Sequence, residues 1–337
     1  MINYIYQLVS PKVFSEVYVD ISINSKVIIR PEYLAVCHAD QRYYLGQRDS
    51  KTLKMKLPMA LIHECCGIVV SDSTKTYKVG QRVVLIPNTP TEKDGIIYEN
   101  YAKSSYFLSS GYDGFMREFV DMNPDRVVAY DNIKPQVAAI TEFVSVGVHS
   151  SSRFDLIAHP KRETIGLWGD GSLAYTMACI LTKRFPDVEI IVIGKDERKL
   201  SHFSFVSKTY IADEIDDDFS VDHAFECAGG EGSFYAIDDI IKYINPQGTV
   251  MLMGVSENKV PINTRNILEK GLTFVGSSRS GRVDFEMAVS MMSDPVFQSR
   301  LSVIISEDEP ANDIKDIQRI FANDLNTPFK TVFKWNI

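Results

Sequence analysis

The run "TIGLWGDGSLAY", residues 164–175, constrains the fold more than any other stretch. It reads as an apolar strand, a tight turn and the start of a helix. The turn carries Gly169-x-Gly171-x-x-Ala174. The first Gly permits the turn, the second lets a pyrophosphate approach the backbone, and the third position needs only a small residue for helix–strand packing. Free amides at the helix start then meet the phosphate charge. Further strand-like runs follow: "VEIIVIG", "VDHAFECAG", "GTVMLMGV" and "LTFVGS". Between them lie helical patterns, among them Leu173, Met177, Ile180 and Leu181, and later "SFYAIDDIIKYI". Alternating strands and helices with nearly continuous apolar strands predict a doubly wound parallel sheet covered on both faces. The expected ligand is a dinucleotide.

The second strand bears on which dinucleotide. NAD-binding sheets of this kind place an acid at its tip, about 20 residues past the turn. Here Gly194 and Lys195 stand there, with Arg198 and Lys199 close behind. No carboxylate opposes a 2′-phosphate, and the three cations suit one. The pattern favours NADPH over NADH. The competing reading has these cations solvating a helix start and Asp196 reaching the ribose.

Before residue 135 the texture differs. Short β runs, "KVIIRP", "GIVV", "QRVVLIPN" and "FMREFVDM", are broken by Gly, Pro and Asn. The closing "KTVFKWNI" returns to β texture. The expected division is a β-rich domain from 1–140 plus 300–337, and an inserted nucleotide domain, 141–299. The 337 residues carry 44 acids against 36 lysines and arginines, a net charge of −8. Such a balance argues against a nucleic-acid-binding or anionic-membrane surface. No apolar run reaches the roughly 20 residues of a membrane helix, and "MINYIYQLVS" lacks the marks of a secretory leader. Five sparse cysteines predict no disulfide framework, which points to the cytoplasm.

The stretch "LPMALIHECCGIVV", residues 57–70, reads as one apolar strand interrupted by His63, Glu64, Cys65 and Cys66. Upstream lies Cys37 in "AVCHADQRYY"; downstream lies Glu142 in "AITEFVSVGVHS". A thiolate, an imidazole and carboxylates make a suitable shell for catalytic zinc. Cys65 and Cys66 read as small apolar core residues.

Taken in order, Cys37, the His63–Glu64 pair, "DGFMREFV", Glu142 and the Gly169 turn resemble the zinc-dependent medium-chain alcohol and polyol dehydrogenases. Within them, "RYYLGQRD", "IPNTPTEKDG", "ENYAKSSYF", "SSGYDGFM", "WGDGSLAY", "KLSHFSFV" and "DHAFECAGG" look most like the ribulose-5-phosphate reductases. The resemblance spans the whole chain. It implies a GroES-like catalytic domain beside a Rossmann domain. It also implies one catalytic zinc held by Cys37, His63 and Glu142, with Glu64 as a fourth ligand in some states or else an exchangeable carboxylate or one that stands behind the ligands. The reaction implied is NADPH-dependent reduction of D-ribulose 5-phosphate to D-ribitol 5-phosphate, which supplies CDP-ribitol for wall teichoic acid or capsule. A homodimer and a cytidylyltransferase partner belong to the same expectation.

Two departures from the wider family stand out. The lobe "PNTPTEKDGIIYENYAKSSYFLSSGYDG" lacks the four cysteines of a structural zinc site, so no second zinc is expected. Ala39 replaces the hydroxyl residue that many relatives carry two positions after the cysteine ligand. Protonation then falls to Tyr43, Glu142 or water; Tyr43 matches in spacing a substrate-contacting tyrosine of polyol dehydrogenases. Arg42, Arg48 and Arg279 are candidates for the substrate phosphate, against a plain reading as surface arginines. The competing activities are oxidation of another polyol with NAD, a zinc-free quinone-reductase type, and a nucleotide-binding relative without catalysis.

Overall fold

A computed structural model describes all residues, Met1–Ile337. The chain divides into two compact units, one made of Met1–Ser145 and Arg279–Ile337, the other of Val146–Ser278. The chain re-enters the first unit at residue 279, some twenty residues before the return expected at 300. Side-chain anchoring explains the difference. Arg282 donates through its backbone N–H to Glu99 (2.7 Å) and through its guanidinium to the carbonyls of Asp125 (2.8 Å) and Val127 (2.9 Å). Gln298 bonds the backbone of Lys134 and Asn132. These helical residues look like the nucleotide domain in texture and pack with the first unit.

In the first unit a seven-stranded sheet runs in the order Val127–Ala129, Arg82–Leu85, Glu64–Asp72, Val27–Ala35, Lys330–Trp335, Ile305–Ala311, with Val120–Met122 also paired to Val27–Ala35. The C-terminal strand lies antiparallel to Val27–Ala35, Val332 opposite Ala35 and Phe333 opposite Leu34. A smaller sheet joins Val13–Asp20, Ile2–Ser10 and Met59–Ala60. The core gathers Leu8, Leu34, Leu61, Val69, Val83, Phe115, Phe321 and Phe333, all fully buried.

The 57–70 run is not one strand. Met59–Ala60 pairs in the small sheet, and Glu64–Asp72 starts the crossing of the large one. Between them Ile62 takes φ +69°. A β-branched residue in the left-handed region costs about 1–2 kcal/mol, so its neighbours must hold it there. The Ile62 amide donates to Asp40 (3.0 Å), and its carbonyl accepts from Phe115 (2.7 Å). Gly114 permits this approach, since a Cβ there would stand 2.3 Å from the Ile62 oxygen. The same pairing shortens the strand expected from "FMREFVDM" to Val120–Met122, because the amides of Phe115 and Met116 serve the bend at Leu61–Ile62.

The second unit holds a six-stranded parallel sheet. Numbered from Thr164–Trp168, its order is 3-2-1-4-5-6: Lys208–Ile211, Glu189–Gly194, Thr164–Trp168, His223–Glu226, Thr249–Leu252, Thr273–Gly276. Helices Ser172–Arg184 and Gly232–Tyr243 supply crossovers, as the periodicity predicts. That order places the switch point beside Thr164–Trp168, where dinucleotides bind such sheets.

Candidate active site and nucleotide turn

His63 sits just after the Ile62 bend and is 6% exposed. Cys37 precedes the helix His38–Tyr44, and Glu142 lies in the first turn of Thr141–Ile157. Potential ligand atoms of His63, Glu64 and Glu142 lie within 4.8 Å of one another, as do those of Cys37, Asp40 and His63. His63 belongs to both groups. Tetrahedral zinc with nitrogen, oxygen and sulfur ligands needs ligand spacings of about 3.3–3.8 Å; the donor chemistry suits it, while the expected ligands Cys37 and Glu142 fall in different groups joined through His63.

The roles of the individual atoms sharpen the fit. His63 Nδ1 faces Asp40 Oδ2 at 3.4 Å, and Nε2 faces Glu142 Oε2 at 4.0 Å. With Nδ1–H directed at a carboxylate, Nε2 keeps its lone pair for a metal. Asp40 is fully buried and also accepts from the Ser109 hydroxyl (2.6 Å) and the Ile62 amide. Burial works against its charge, yet His63 and these hydrogen bonds hold its carboxyl below the usual range. Burial likewise disfavours a charged His63, but Asp40 and Cys37 outweigh it and raise its pKa well above the ordinary value.

Glu64 is fully buried. Its Oε1 accepts from Lys330 Nζ at 2.5 Å, while Oε2 is buried without a partner. Lys330 also donates to the Val36 carbonyl (2.8 Å) and lies 4.7 Å from the Phe143 ring centre. Burial raises the carboxyl of Glu142 to about 7 and raises that of Glu64 as well; each also feels the other acids nearby. An orphaned carboxylate oxygen beside a second strained carboxyl is the arrangement a divalent cation relieves. Cys65 and Cys66 are buried away from this role, their thiols pushed up by burial, that of Cys66 to about 12.

Around the ligands, Phe107 lies 5.4 Å from the His63 ring, and the Arg279 guanidinium lies 4.8 Å over Phe107. Arg279 takes φ +57°. Burial lowers its pKa, and the charge of Glu142 opposes that. Tyr43, 3% exposed, lies in the last turn of the helix His38–Tyr44, with Arg48 5.0 Å and Lys56 5.8 Å from its ring centre. Arg42 stands in the last turn of the same helix. The cysteine-free lobe is tied by Arg126–Glu99 (2.9 Å), Asn88 to the Glu99 carbonyl, and the Tyr106–Tyr112 contact.

Asp40 and Lys330 escape sequence reasoning. Asp40 lies inside the quoted "AVCHADQRYY", but an acid on a short helix carries no sign of its partner. Lys330 is 266 residues from Glu64. Nothing in the sequence signals it: Lys330 opens the closing strand, which carries a second lysine, Lys334, that is exposed.

In the second unit, Gly169 takes φ +138°, and a Cβ there would meet the Cys227 backbone at 3.0 Å. A Cβ on Gly171 would meet nothing within 4 Å, which leaves room for a phosphate over the turn. Gly171 caps the helix Ser172–Arg184 without a side-chain hydrogen bond, so the first amides remain for an anion. Ala174 is fully buried beneath. Gly194 ends the second strand; Lys195 lies 4.9 Å from the Tyr235 ring centre, and Arg198 and Lys199 lie on the helix Glu197–Leu200. Asp196 is engaged as that helix's cap, accepting from Arg198 N (2.9 Å) and Lys199 N (3.3 Å).

Residues 24–132 match the alcohol dehydrogenase GroES-like domain, and residues 178–294 the zinc-binding dehydrogenase family. A ribulose-5-phosphate reductase of Streptococcus pneumoniae is 58% identical over all of this chain and 98% of its own length. The chain belongs to the zinc-binding dehydrogenases, in their ribulose-5-phosphate reductase branch. A ribulose-5-phosphate reductase of Bacillus spizizenii is 48% identical with both chains fully covered. The crystal structure of Staphylococcus aureus TarJ in complex with NADPH superposes with a TM-score of 0.89 at 43% identity, again over both full lengths. Fold and family therefore agree with the resemblance stated from the residues. The medium-chain architecture is the GroES-like unit and the Rossmann unit described above.

Proposed function

We propose that this chain reduces D-ribulose 5-phosphate to D-ribitol 5-phosphate with NADPH, supplying CDP-ribitol synthesis for wall teichoic acid or capsule. The observation that carries this reading is the His63-centred donor set inside a chain 58% identical, end to end, to a ribulose-5-phosphate reductase. Bound zinc supplies Lewis-acid polarisation of a carbonyl oxygen, and bound NADPH supplies a hydride.

The chain's residues divide the remaining work. Cys37, His63 and Glu142 hold the metal, with Glu64 as fourth or exchangeable ligand. Asp40 fixes the tautomer and direction of His63. Lys330 holds one oxygen of Glu64 and leaves the other without a hydrogen-bond partner. Tyr43 or Glu142, directly or through water, hands a proton to the product oxygen. Ala39 has no hydroxyl for that task. Arg279, one aromatic ring away from His63, and Arg48 beside Tyr43 are the better placed candidates for the substrate phosphate; Arg42 is a third. At the Gly169 turn the amides of Ser172–Arg184 receive the pyrophosphate, and Lys195, Arg198 and Lys199 receive the 2′-phosphate.

A homodimer through the edge strand Thr273–Gly276, cytoplasmic residence and association with a cytidylyltransferase complete the proposal. No helix is long and apolar enough to cross a membrane. The test is NADPH oxidation with D-ribulose 5-phosphate before chelation, after chelation, and after zinc is restored. Turnover should vanish and return. Equal turnover of metal-free enzyme would remove the zinc role, and turnover of unphosphorylated ketoses alone would remove the substrate. Comparing ribulose with its 5-phosphate in Arg48→Ala and Arg279→Ala assigns the phosphate site.

A further inference from the structure

Residue 194 is where an acid would stand to bind the adenosine ribose of NADH. Gly194 closes an ordinary strand, so no unusual φ demands glycine there. Crowding does. A Cβ on Gly194 would lie 2.7 Å from Asp170 Cβ, 2.9 Å from Asp170 Oδ2 and 2.9 Å from Leu200 Cδ2. The first of these atoms is the root of a side chain and cannot swing aside. Asp170, between the two glycines of the phosphate turn, therefore fills the space that a ribose-binding acid needs.

The Asp170 carboxylate is also committed. Its Oδ2 accepts from the amides of Lys195 (2.7 Å) and Asp196 (2.9 Å), and its Oδ1 faces Lys199 Nζ at 4.0 Å. One oxygen thus pins the turn that carries Lys195 and leads into Arg198 and Lys199. We propose that Asp170 is the positioning residue for coenzyme choice: it excludes an acid from position 194 and fixes the turn whose cations receive an adenosine 2′-phosphate. This rests on the NADPH reading above.

Four variants test it: Asp170→Asn, Asp170→Ala, Gly194→Asp and the double variant Asp170→Gly/Gly194→Asp, in which the Cβ that blocks position 194 is gone. The readouts are kcat/KM with NADPH and NADH, and calorimetric binding of 2′,5′-ADP against 5′-ADP, which needs no turnover. Asp170→Asn keeps a carbonyl oxygen for both amides and should bind 2′,5′-ADP like the wild type. Asp170→Ala should weaken 2′,5′-ADP by about tenfold or more, with a smaller change for 5′-ADP. Gly194→Asp alone should lose NADPH without gaining NADH. The double variant should use NADH at least about tenfold better than that single variant. Wild-type binding of 2′,5′-ADP by Asp170→Ala would overturn the inference. So would a gain in NADH use by Gly194→Asp alone equal to that of the double variant. If Gly194→Asp does not fold, the Asn and Ala pair decides by itself. A wild type that prefers NADH would instead break the coenzyme reading, and shows before any variant is made.

Discussion

The two units keep buried charge in opposite ways. In the first, buried side chains answer one another: Asp40 faces His63, and Glu64 faces Lys330. In the second, backbone and neutral groups do most of the holding, with Lys161 3.7 Å from Asp222 as a charged addition. Glu226, 1% exposed, accepts from the amides of Ala228 (3.0 Å), Gly229 (3.0 Å) and Gly254 (2.9 Å) and from the Ser233 hydroxyl (3.0 Å). Asp222 accepts from Glu163 N (2.9 Å), Thr164 N (3.2 Å) and Asn245 (3.0 Å). A carboxylate that gathers amides locks loops, and needs nothing further. A cluster of side-chain charges is complete only when its sum is, and in this one Glu64 Oε2 has no hydrogen-bond partner. On the proposed function, the first unit would close its side-chain cluster around an ion, and the second would offer open helix amides to an anion from fixed loops.

The strongest way to break this contrast is to remove a ligand. Cys37→Ala should lose bound zinc and lower kcat/KM on the order of a thousandfold, because nothing else stabilises the developing oxyanion as well. Binding of 2′,5′-ADP to the second unit should be unchanged. Metal analysis, turnover and calorimetry on one preparation check all three. Near-normal turnover with normal zinc would end the role of Cys37. Next comes Lys330→Met. It leaves Glu64 buried without the Lys330 ammonium in metal-free protein, a loss of up to about 3–5 kcal/mol that shrinks as the carboxyl takes up a proton. Urea unfolding of chelated protein measures it. Adding Glu64→Gln should recover most of the loss, since the orphaned charge goes with it; no recovery would mean that Lys330 acts through packing alone.

The contrast also explains what could be read from the residues. The parallel sheet, its helices and the Gly169 turn follow from periodicity and turn chemistry within a few dozen residues. Cys37, His63, Glu64 and Glu142 were legible as a set only through a resemblance spanning the chain, because their spacing in sequence says little about convergence. Lys330 and the Asp40–Ser109–Ile62 network were not legible, since each depends on partners brought in by the fold. Ile62 runs against its own propensity, and such local conflicts gather at functional sites. The re-entry at Arg279 was missed because helical texture does not reveal which unit a helix is anchored to. Asp170 was quoted in the turn, but its reach to Lys195 and Asp196 is a property of the folded sheet.

The second unit has its own weak point in acid. His223 is fully buried, with Nε2 against the Lys161 carbonyl (3.0 Å) and Nδ1 accepting from Thr249 N (3.1 Å). These partners suit the neutral ring. Burial, with His159 beside it, lowers its pKa from 6.5 to about 4. The unfolded chain therefore takes up the proton first as pH falls. Stability from this group is full above 6.5, declines between 6.5 and about 4, and is gone below. The loss is up to about 3 kcal/mol. Urea unfolding of wild type and His223→Gln across this range isolates it, because the variant should be less stable at neutral pH and should lack this part of the slope. Parallel slopes would discharge His223 from the role.

The smallest of these effects sharpens the contrast best. Asp40→Asn leaves one acceptor oxygen, which can stay with the Ile62 amide and the Ser109 hydroxyl, but it turns the amide nitrogen toward His63 Nδ1 and removes the charge that sets the imidazole's basicity. Were Asp40 a structural pin like Glu226, holding the Ile62 amide and the Ser109 hydroxyl, an amide would serve nearly as well and zinc affinity would hold. As the group that directs His63 toward the metal, it should cost about 10–100-fold in zinc affinity when neutralised. Competition with a chromogenic chelator gives that number, and Tm in chelator reports the structural part separately. A fall in Tm with unchanged zinc affinity would place Asp40 with the amide-gathering carboxylates of the second unit; a fall in zinc affinity with little change in metal-free Tm places it with the ion.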